Sequence, residues 1–186
     1  MKYIARLILK ILGWTYEPNP APVPKCIILG APHTSGWDFI ISYLFYQAVG
    51  GKAYVMVKKE FFNGPLAPIV RAMGGIPVER GRGAGAVKQV IDRINNSKTL
   101  HLAIAPEGTR KLTKNWKTGF HTIARACNIP VYMGYYDWSI KKIGVGPEIK
   151  LTDDAQADLK RIRQHYKDQG IKGRHTECFT TGDDLN

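Results

Sequence analysis

The chain has 186 residues, of which 44% are hydrophobic and 23% are charged. This composition suits one compact domain with a sizeable core and excludes a chain that is disordered throughout. The 27 Lys and Arg residues outnumber the 15 Asp and Glu residues and give a net charge of +12. That surplus favours an anionic partner: nucleic acid, an acidic lipid surface or a phosphorylated substrate.

Residues 1–17 predict an amphipathic helix that is too short and too charged to span a bilayer. Lys10 interrupts the apolar run and no small-residue cleavage site follows it, so a signal peptide is not expected either. The pattern is typical of a helix lying at a membrane interface, although packing against the chain's own domain explains it equally well. The apolar face holds Ile4, Leu7, Ile8, Ile11 and Leu12, and the basic residues opposite it are Lys2, Arg6 and Lys10.

Beyond a proline-rich linker at 18–24, strand-like and helix-like segments alternate. This order predicts a single α/β domain over 18–175, with a mostly parallel central sheet flanked by helices, and a frayed tail over 176–186. In such sheets, ligands collect where the strands end and the helices begin. Strands are expected over 26–29, 53–57, 76–79, 100–105, 131–135 and within 140–151, and helices over 36–48, 65–74, 87–94, 119–127 and 153–169.

Cysteine usage gives a further constraint. Cys26, Cys127 and Cys178 are far apart and odd in number. They form neither a disulfide framework nor a zinc-ligand spacing, and a reducing compartment is therefore the simplest interpretation.

His33 and Asp38 are the first candidates for chemistry. They are five residues apart, which on a continuous helix would separate them by about 140°. The strand ends near Gly30 and Pro32 disfavours a helix there, so a turn can bring the two side chains together, with Ser35 as N-cap. An aspartate bound to one imidazole nitrogen leaves the other nitrogen free to accept a proton.

The same residues also fit a purely structural role. Ser35 and Asp38 have the spacing of a capping box, in which the carboxylate satisfies an amide at the start of the helix. The two roles are compatible.

Two further segments each place an arginine after a predicted strand. Gly75-Ile-Pro-Val-Glu-Arg80 ends one strand, and Pro106-Glu-Gly-Thr-Arg110 ends another. A guanidinium group matches phosphate oxygens, so both arginines are candidates for binding a phosphorylated substrate.

Taken in order, these segments resemble the 1-acylglycerol-3-phosphate acyltransferase family. The segment from His33 to Asp38 looks like its His-x4-Asp motif, and the two arginine segments resemble its second and third blocks. Ile129-Pro-Val131 is similar to the fourth block. The match runs from about residue 26 to residue 136, more than half of the chain.

The resemblance implies an acyltransferase that moves a fatty acyl group from a thioester of coenzyme A or acyl carrier protein to the hydroxyl of a lysophospholipid. It implies no cofactor, and a peripheral enzyme at the cytoplasmic face of a membrane. His33 would be the general base and Asp38 its orienting partner. The acceptor head group would contact Lys58, Arg80, Glu107, Gly108, Thr109 and Arg110.

Some positions depart from the family pattern. Pro32 stands where the family often has asparagine, and Lys111 follows Arg110 where a small hydroxyl residue is common. These departures concern the acceptor: the resemblance implies lysophosphatidate as the leading one, and the departures leave another lyso-lipid as the alternative. A basic module that binds nucleic acid is the alternative from a different class; it explains the charge but gives His33 and Asp38 no role, and no recognition motif supports it.

Overall fold

A computed structural model describes residues 1–79 and 83–182. Its centre is a seven-stranded sheet, in which the five strands β2 to β6 run parallel to one another. The order across the sheet is β1-β7-β6-β2-β5-β3-β4, and β7 pairs antiparallel with β6. The strands are β1 Thr15–Tyr16, β2 Lys25–Ala31, β3 Ala53–Lys58, β4 Gly75–Val78, β5 Leu100–Ile104, β6 Val131–Asp137 and β7 Lys142–Ile149.

Six α-helices flank this sheet in the described part of the chain, and the predicted α/β class with a mostly parallel sheet is confirmed. None of these helices has the length and apolar character needed to cross a membrane. They are α1 Lys2–Ile11, α2 Trp37–Val49, α3 Ala67–Ala72, α4 Gly83–Asn95, α5 Gly119–Cys127 and α6 Ala155–Gln169.

The core has two layers because side chains alternate across each strand. On β2, Ile27 and Leu29 are buried in one layer, whereas Cys26 and Ile28 are buried in the other. Helices α4, α5 and α6 cover the first layer, and α1 and α2 cover the second. The Tyr166 hydroxyl on α6 donates to the carbonyls of Leu29 and Gly134, which ties that helix to the centre of the sheet.

Helix α1 packs on its own domain, and it also has an exposed apolar face. Its Ala5 and Leu9 are buried in the second core layer. Opposite them, Leu7 is 57% exposed and Ile11 is 74% exposed. The helix therefore packs on its own domain through one face and presents an apolar face to the surroundings.

Helix α3 begins later than expected. The prediction placed its start at Pro65, but the helix begins at Ala67 with Pro68 in its first turn. A proline is tolerated there because the first amides of a helix have no partner within the helix.

The segment after α6 also differs from the expected frayed tail. Thr176–Cys178 forms a 3-10 helix, Phe179 packs on the first core layer, and Thr180 and Thr181 are buried. The rings of Phe179 and Trp116 lie 5.9 Å apart, so apolar burial holds this segment in place. Residues 183–186 lie outside the described part.

Candidate active site

The loop that follows β2 carries His33, and α2 carries Asp38 in its first turn. His33 Nδ1 lies 3.1 Å from Asp38 Oδ2, so the turn between them brings the two side chains together as the sequence predicted. The start of the helix differs by one residue from the prediction, because Gly36 rather than Ser35 is the N-cap. The Ser35 hydroxyl still accepts a hydrogen bond from the Trp37 amide at 3.2 Å.

Asp38 is 1% exposed, and hydrogen bonds hold both of its carboxylate oxygens. Besides facing the His33 ring, Oδ2 accepts from the backbone amides of Thr34 at 2.9 Å and Ser35 at 2.8 Å. Oδ1 accepts from the Trp138 indole N–H at 2.8 Å. The carboxylate therefore caps the amides that precede α2 and also orients the imidazole, so the two roles coexist.

This arrangement determines which nitrogen of His33 is available. A carboxylate at Nδ1 favours the tautomer that carries its proton there, which leaves Nε2 as the acceptor. The His33 side chain is 25% exposed, and Nε2 has no hydrogen bond within the described residues. The imidazole can therefore reach a substrate from a carboxylate-bound position, which is the arrangement of a general base.

Glu107 lies beneath the same loop. Its Oε1 accepts from the His33 backbone amide at 2.7 Å, while Oε2 is buried and has no hydrogen-bond partner among the described residues. Burial raises the pKa of the Glu107 carboxyl from 4.5 to about 7, against the opposing effect of the His33 amide. In the structure, Glu107 binds the backbone of the His33 loop. Contact between Glu107 and an acceptor head group stays a prediction.

The turn after β5 directs an arginine toward the start of α2. Gly108 has a φ of +66°, a left-handed conformation that favours glycine, and the Thr109 hydroxyl accepts from the Lys111 amide. Arg110 Nη1 lies 3.2 Å from the point that a Cβ on Gly36 would occupy. The exposed guanidinium of Arg110 thus lies beside the segment that joins His33 to Asp38.

Of the two remaining predicted residues, Lys58 lies at the same edge of the sheet and Arg80 is not among the described residues. Lys58 ends β3 with an exposed side chain, whereas its neighbour Lys59 forms an ion pair with Glu79 at 3.0 Å. That pairing favours Lys58 as the lysine available to a ligand.

Two other histidines, His101 and His121, have structural partners away from His33. His101 contacts the Tyr46 hydroxyl and the Val23 carbonyl, and His121 contacts Asp158 and the Thr152 carbonyl. Within the described residues, no group of His, Cys, Asp and Glu side chains could hold a metal ion.

The sequence did not reveal that Trp138 and Arg174 belong to this region. Trp138 donates to Asp38, and the Arg174 guanidinium lies 5.0 Å from the centre of the Trp138 ring. The nearest signal in the sequence is a tryptophan between the strands predicted over 131–135 and within 140–151, because an indole N–H that is removed from water needs an acceptor.

Comparison with known proteins identifies a family and a similar fold. A family model described as Acyltransferase matches residues 16–136, which include His33, Asp38, Glu107 and Arg110. A solved structure, the 1-acyl-sn-glycerophosphate (LPA) acyltransferase PlsC from Thermotoga maritima, has the same fold with a TM-score of 0.59 at 14% sequence identity. The alignment covers 94% of this chain and 80% of that one. No curated protein sequence matches the chain.

The family model spans more than half of the chain, and the segment that it matches includes the strand, loop and helix around the His33–Asp38 pair. The chain therefore belongs to the acyltransferase family and is an acyltransferase enzyme.

Proposed function

We propose that the enzyme transfers a fatty acyl group from an acyl thioester to the free hydroxyl of a lysophospholipid, with His33 and Asp38 as the general-base pair. The contact of 3.1 Å between His33 Nδ1 and Asp38 Oδ2 carries the proposal, because it leaves Nε2 as a proton acceptor. Lysophosphatidate is the leading acceptor and phosphatidate its product. The name of the Thermotoga enzyme of similar fold supports that choice.

The reaction needs one base and no covalent acyl-enzyme. Neutral His33 accepts the hydroxyl proton at Nε2 while the hydroxyl oxygen attacks the thioester carbonyl. Collapse of the tetrahedral intermediate breaks the carbon–sulfur bond, and the imidazolium returns its proton to the departing thiolate. Asp38 holds the ring throughout and stabilises the imidazolium. The mechanism uses no cofactor; the donor, acyl-CoA or acyl carrier protein, is a co-substrate.

Cationic side chains near His33 suit an acceptor that carries a phosphate. Arg110 lies beside Gly36, and Lys58 is exposed at the end of β3, at the same edge of the sheet. A guanidinium binds two phosphate oxygens at once, and a lysine adds a point charge. We assign Arg110, Lys58 and Arg80 to the head group, with Gly108 and Thr109 shaping the turn that carries Arg110.

Two grooves are candidates for the acyl chain, and the first is narrow. It begins at Phe39, next to Asp38, and passes between α2, β3 and α3, where Tyr43, Val55 and Met73 line it. A larger groove of about 670 Å³ lies at the opposite edge of the sheet, where α5 and β7 end, away from His33. The groove beside Asp38 has a volume of only about 20 Å³, which is too small for a fatty acyl chain, so we assign the acyl chain to neither groove.

The apolar face of α1 supports a peripheral membrane location, at the cytoplasmic face where soluble thioester donors are found. Leu7 and Ile11 are exposed on this helix, and Lys10 lies beside them with an exposed side chain. Apolar burial and attraction between cations and anionic lipids act together in such helices.

The test is transfer of labelled acyl groups from acyl-CoA and from acyl carrier protein to a panel of lysophospholipids. We expect transfer by the wild type and its loss in His33→Ala. His165→Ala is the matched control, because it removes a half-exposed imidazole from α6. Melting temperature and circular dichroism verify that each variant is folded.

Transfer that depends on His33 would establish the reaction and name the acceptor. Folded wild-type protein that transfers nothing to any acceptor would refute the proposed substrate class. Full activity in His33→Ala would refute the general-base role while leaving the reaction in place.

A further inference from the structure

Trp138 is the first residue after β6, and its side chain reaches the site from outside the segment that the family model matches. Its indole N–H donates to Asp38 Oδ1 at 2.8 Å. The other oxygen, Oδ2, faces the His33 ring and accepts the two loop amides. Trp138 therefore donates to the carboxylate oxygen of Asp38 that receives no hydrogen bond from the loop amides.

Trp138 has three further contacts, one through its backbone and two through its ring. The Trp138 backbone amide donates to the Lys172 carbonyl at 2.9 Å. The Trp14 ring packs against the indole at right angles, with ring centres 5.0 Å apart. The Arg174 guanidinium lies 5.0 Å from the centre of the Trp138 ring. Arg174 also lies 5.5 Å from the Trp37 ring, so its guanidinium links the two tryptophans beside Asp38.

The segment that carries Arg174 also contacts the loop on which His33 lies. The His175 backbone amide donates to the Thr34 hydroxyl at 3.2 Å. Gly173 is buried so close to Thr34 that an added Cβ would come within 2.7 Å of its side chain. Residues 172–175 therefore pack on the loop and support the Trp138 ring at the same time.

We propose that Trp138 is a positioning residue for the His33–Asp38 pair, and that residues 172–175 hold its indole in place through Lys172 and Arg174. The proposal rests on the general-base role given above to His33. A carboxylate turns about its bond to Cβ unless both oxygens are bound. With the indole N–H on Oδ1, Oδ2 stays directed at Nδ1, and Nε2 stays directed at the substrate.

Two properties of the contact favour positioning over simple packing. Asp38 is buried, so water cannot replace the indole N–H at Oδ1 without a change of structure, and its loss would leave that oxygen without a donor. The contact also joins residues 100 positions apart in sequence. Local helix geometry therefore cannot supply it.

The test compares Trp138→Phe with Trp14→Phe. Phenylalanine keeps an aromatic ring for Arg174 but removes the N–H that Asp38 accepts. We expect Trp138→Phe to lower kcat about tenfold or more with unchanged KM for both substrates, as for other residues that orient a reacting group. Trp14→Phe removes equal ring area from the same cluster but keeps an aromatic ring against Trp138 and leaves the Trp138 N–H on Asp38, so it should keep kcat within about twofold.

Equal kcat values in the two variants would overturn the positioning role and leave Trp138 as a packing residue. This outcome differs from failure of the proposed function, in which the wild type is inactive or His33→Ala retains activity. The Arg174→Gln variant should lower kcat in the same direction but by less. A raised KM with normal kcat would instead make Arg174 a substrate-binding residue and overturn its part of the proposal.

Nitrogen-15 spectra of the His33 ring test the geometry without turnover. In the wild type and in Trp14→Phe we expect the Nδ1–H tautomer to dominate. In Trp138→Phe we expect a mixture of tautomers, because Asp38 then keeps only the donors to Oδ2 and its orientation is less restricted. Identical ring spectra in all three proteins would overturn the proposal whether or not an active substrate has been found.

Discussion

Replacing Glu107 by glutamine tests the burial of a carboxyl group beneath the His33 loop. Glutamine has nearly the same shape, and its side-chain oxygen can still accept the His33 amide. What it lacks is the capacity to ionise. The change therefore isolates the free-energy difference between a neutral and a charged group at this position.

The size of the effect follows from the raised pKa. The folded protein binds this proton up to about pH 7, whereas the unfolded chain releases it near pH 4.5. Between these values the folded state holds more protons, so its stability falls as the pH rises, and below that window the penalty is absent. The whole shift corresponds to about 3 kcal/mol of stability lost above the folded-state pKa.

The assay is urea unfolding of both proteins at about pH 5 and about pH 8. We expect the stability of Glu107→Gln relative to the wild type to increase by roughly 2–3 kcal/mol between these pH values. The exposed glutamate Glu60 provides the control Glu60→Gln, which should produce a much smaller change. Parallel pH dependences in the wild type and Glu107→Gln would show that the carboxyl titrates as it does in the unfolded chain, and the burial argument would be wrong.

The remaining predictions concern substrate and membrane binding. Arg110→Ala should raise the acceptor KM about 10-fold to 100-fold, as expected for loss of a hydrogen bond between charged groups; a normal KM would remove Arg110 from the head-group site. Gly36→Ala should raise the same KM by less and leave the melting temperature unchanged, because only the far end of the Arg110 side chain must move; an unchanged KM would show that Arg110 tolerates the displacement. The double change Leu7→Gln and Ile11→Gln should lower binding to anionic vesicles about 100-fold, since each side chain contributes roughly 1.5 kcal/mol or more when buried. Unchanged sedimentation with vesicles, in a variant of normal melting temperature, would make that face of α1 irrelevant to membrane binding.

The sequence predicted those elements whose limits are set by local chemistry. Helix α5 runs over Gly119–Cys127 as expected, and the apolar face of α4 is buried through Val90 and Ile94. Strand β1 was missed because Thr15–Tyr16 has two residues and exists only through its pairing with β7. A strand so short has no periodicity of its own, so its pattern cannot predict it.

Glu107 shows why its role could not be predicted from the motif. The sequence places a carboxyl group in a turn after a strand, where most such groups are solvated. Whether it points to solvent or under the neighbouring loop depends on the packing of β5 beside β2, which a single motif does not encode. The buried position gives Glu107 the His33 amide as its partner and exposes it to the desolvation that raises its pKa.

The contact between His33 and Asp38 is therefore local in sequence, whereas the contact between Trp138 and Asp38 is not. His33 and Asp38 are five residues apart, and a loop before a helix is enough to bring them together; that is why the motif can be recognised in the sequence. The donor to the second carboxylate oxygen, Trp138, is 100 residues away from Asp38, and Lys172 and Arg174, which hold it, are farther still. All three lie beyond residue 136, where the family match ends. If orientation of Asp38 determines the rate, the matched segment contains the reacting groups but lacks part of what fixes their geometry, so the residues after β6 belong to the catalytic unit.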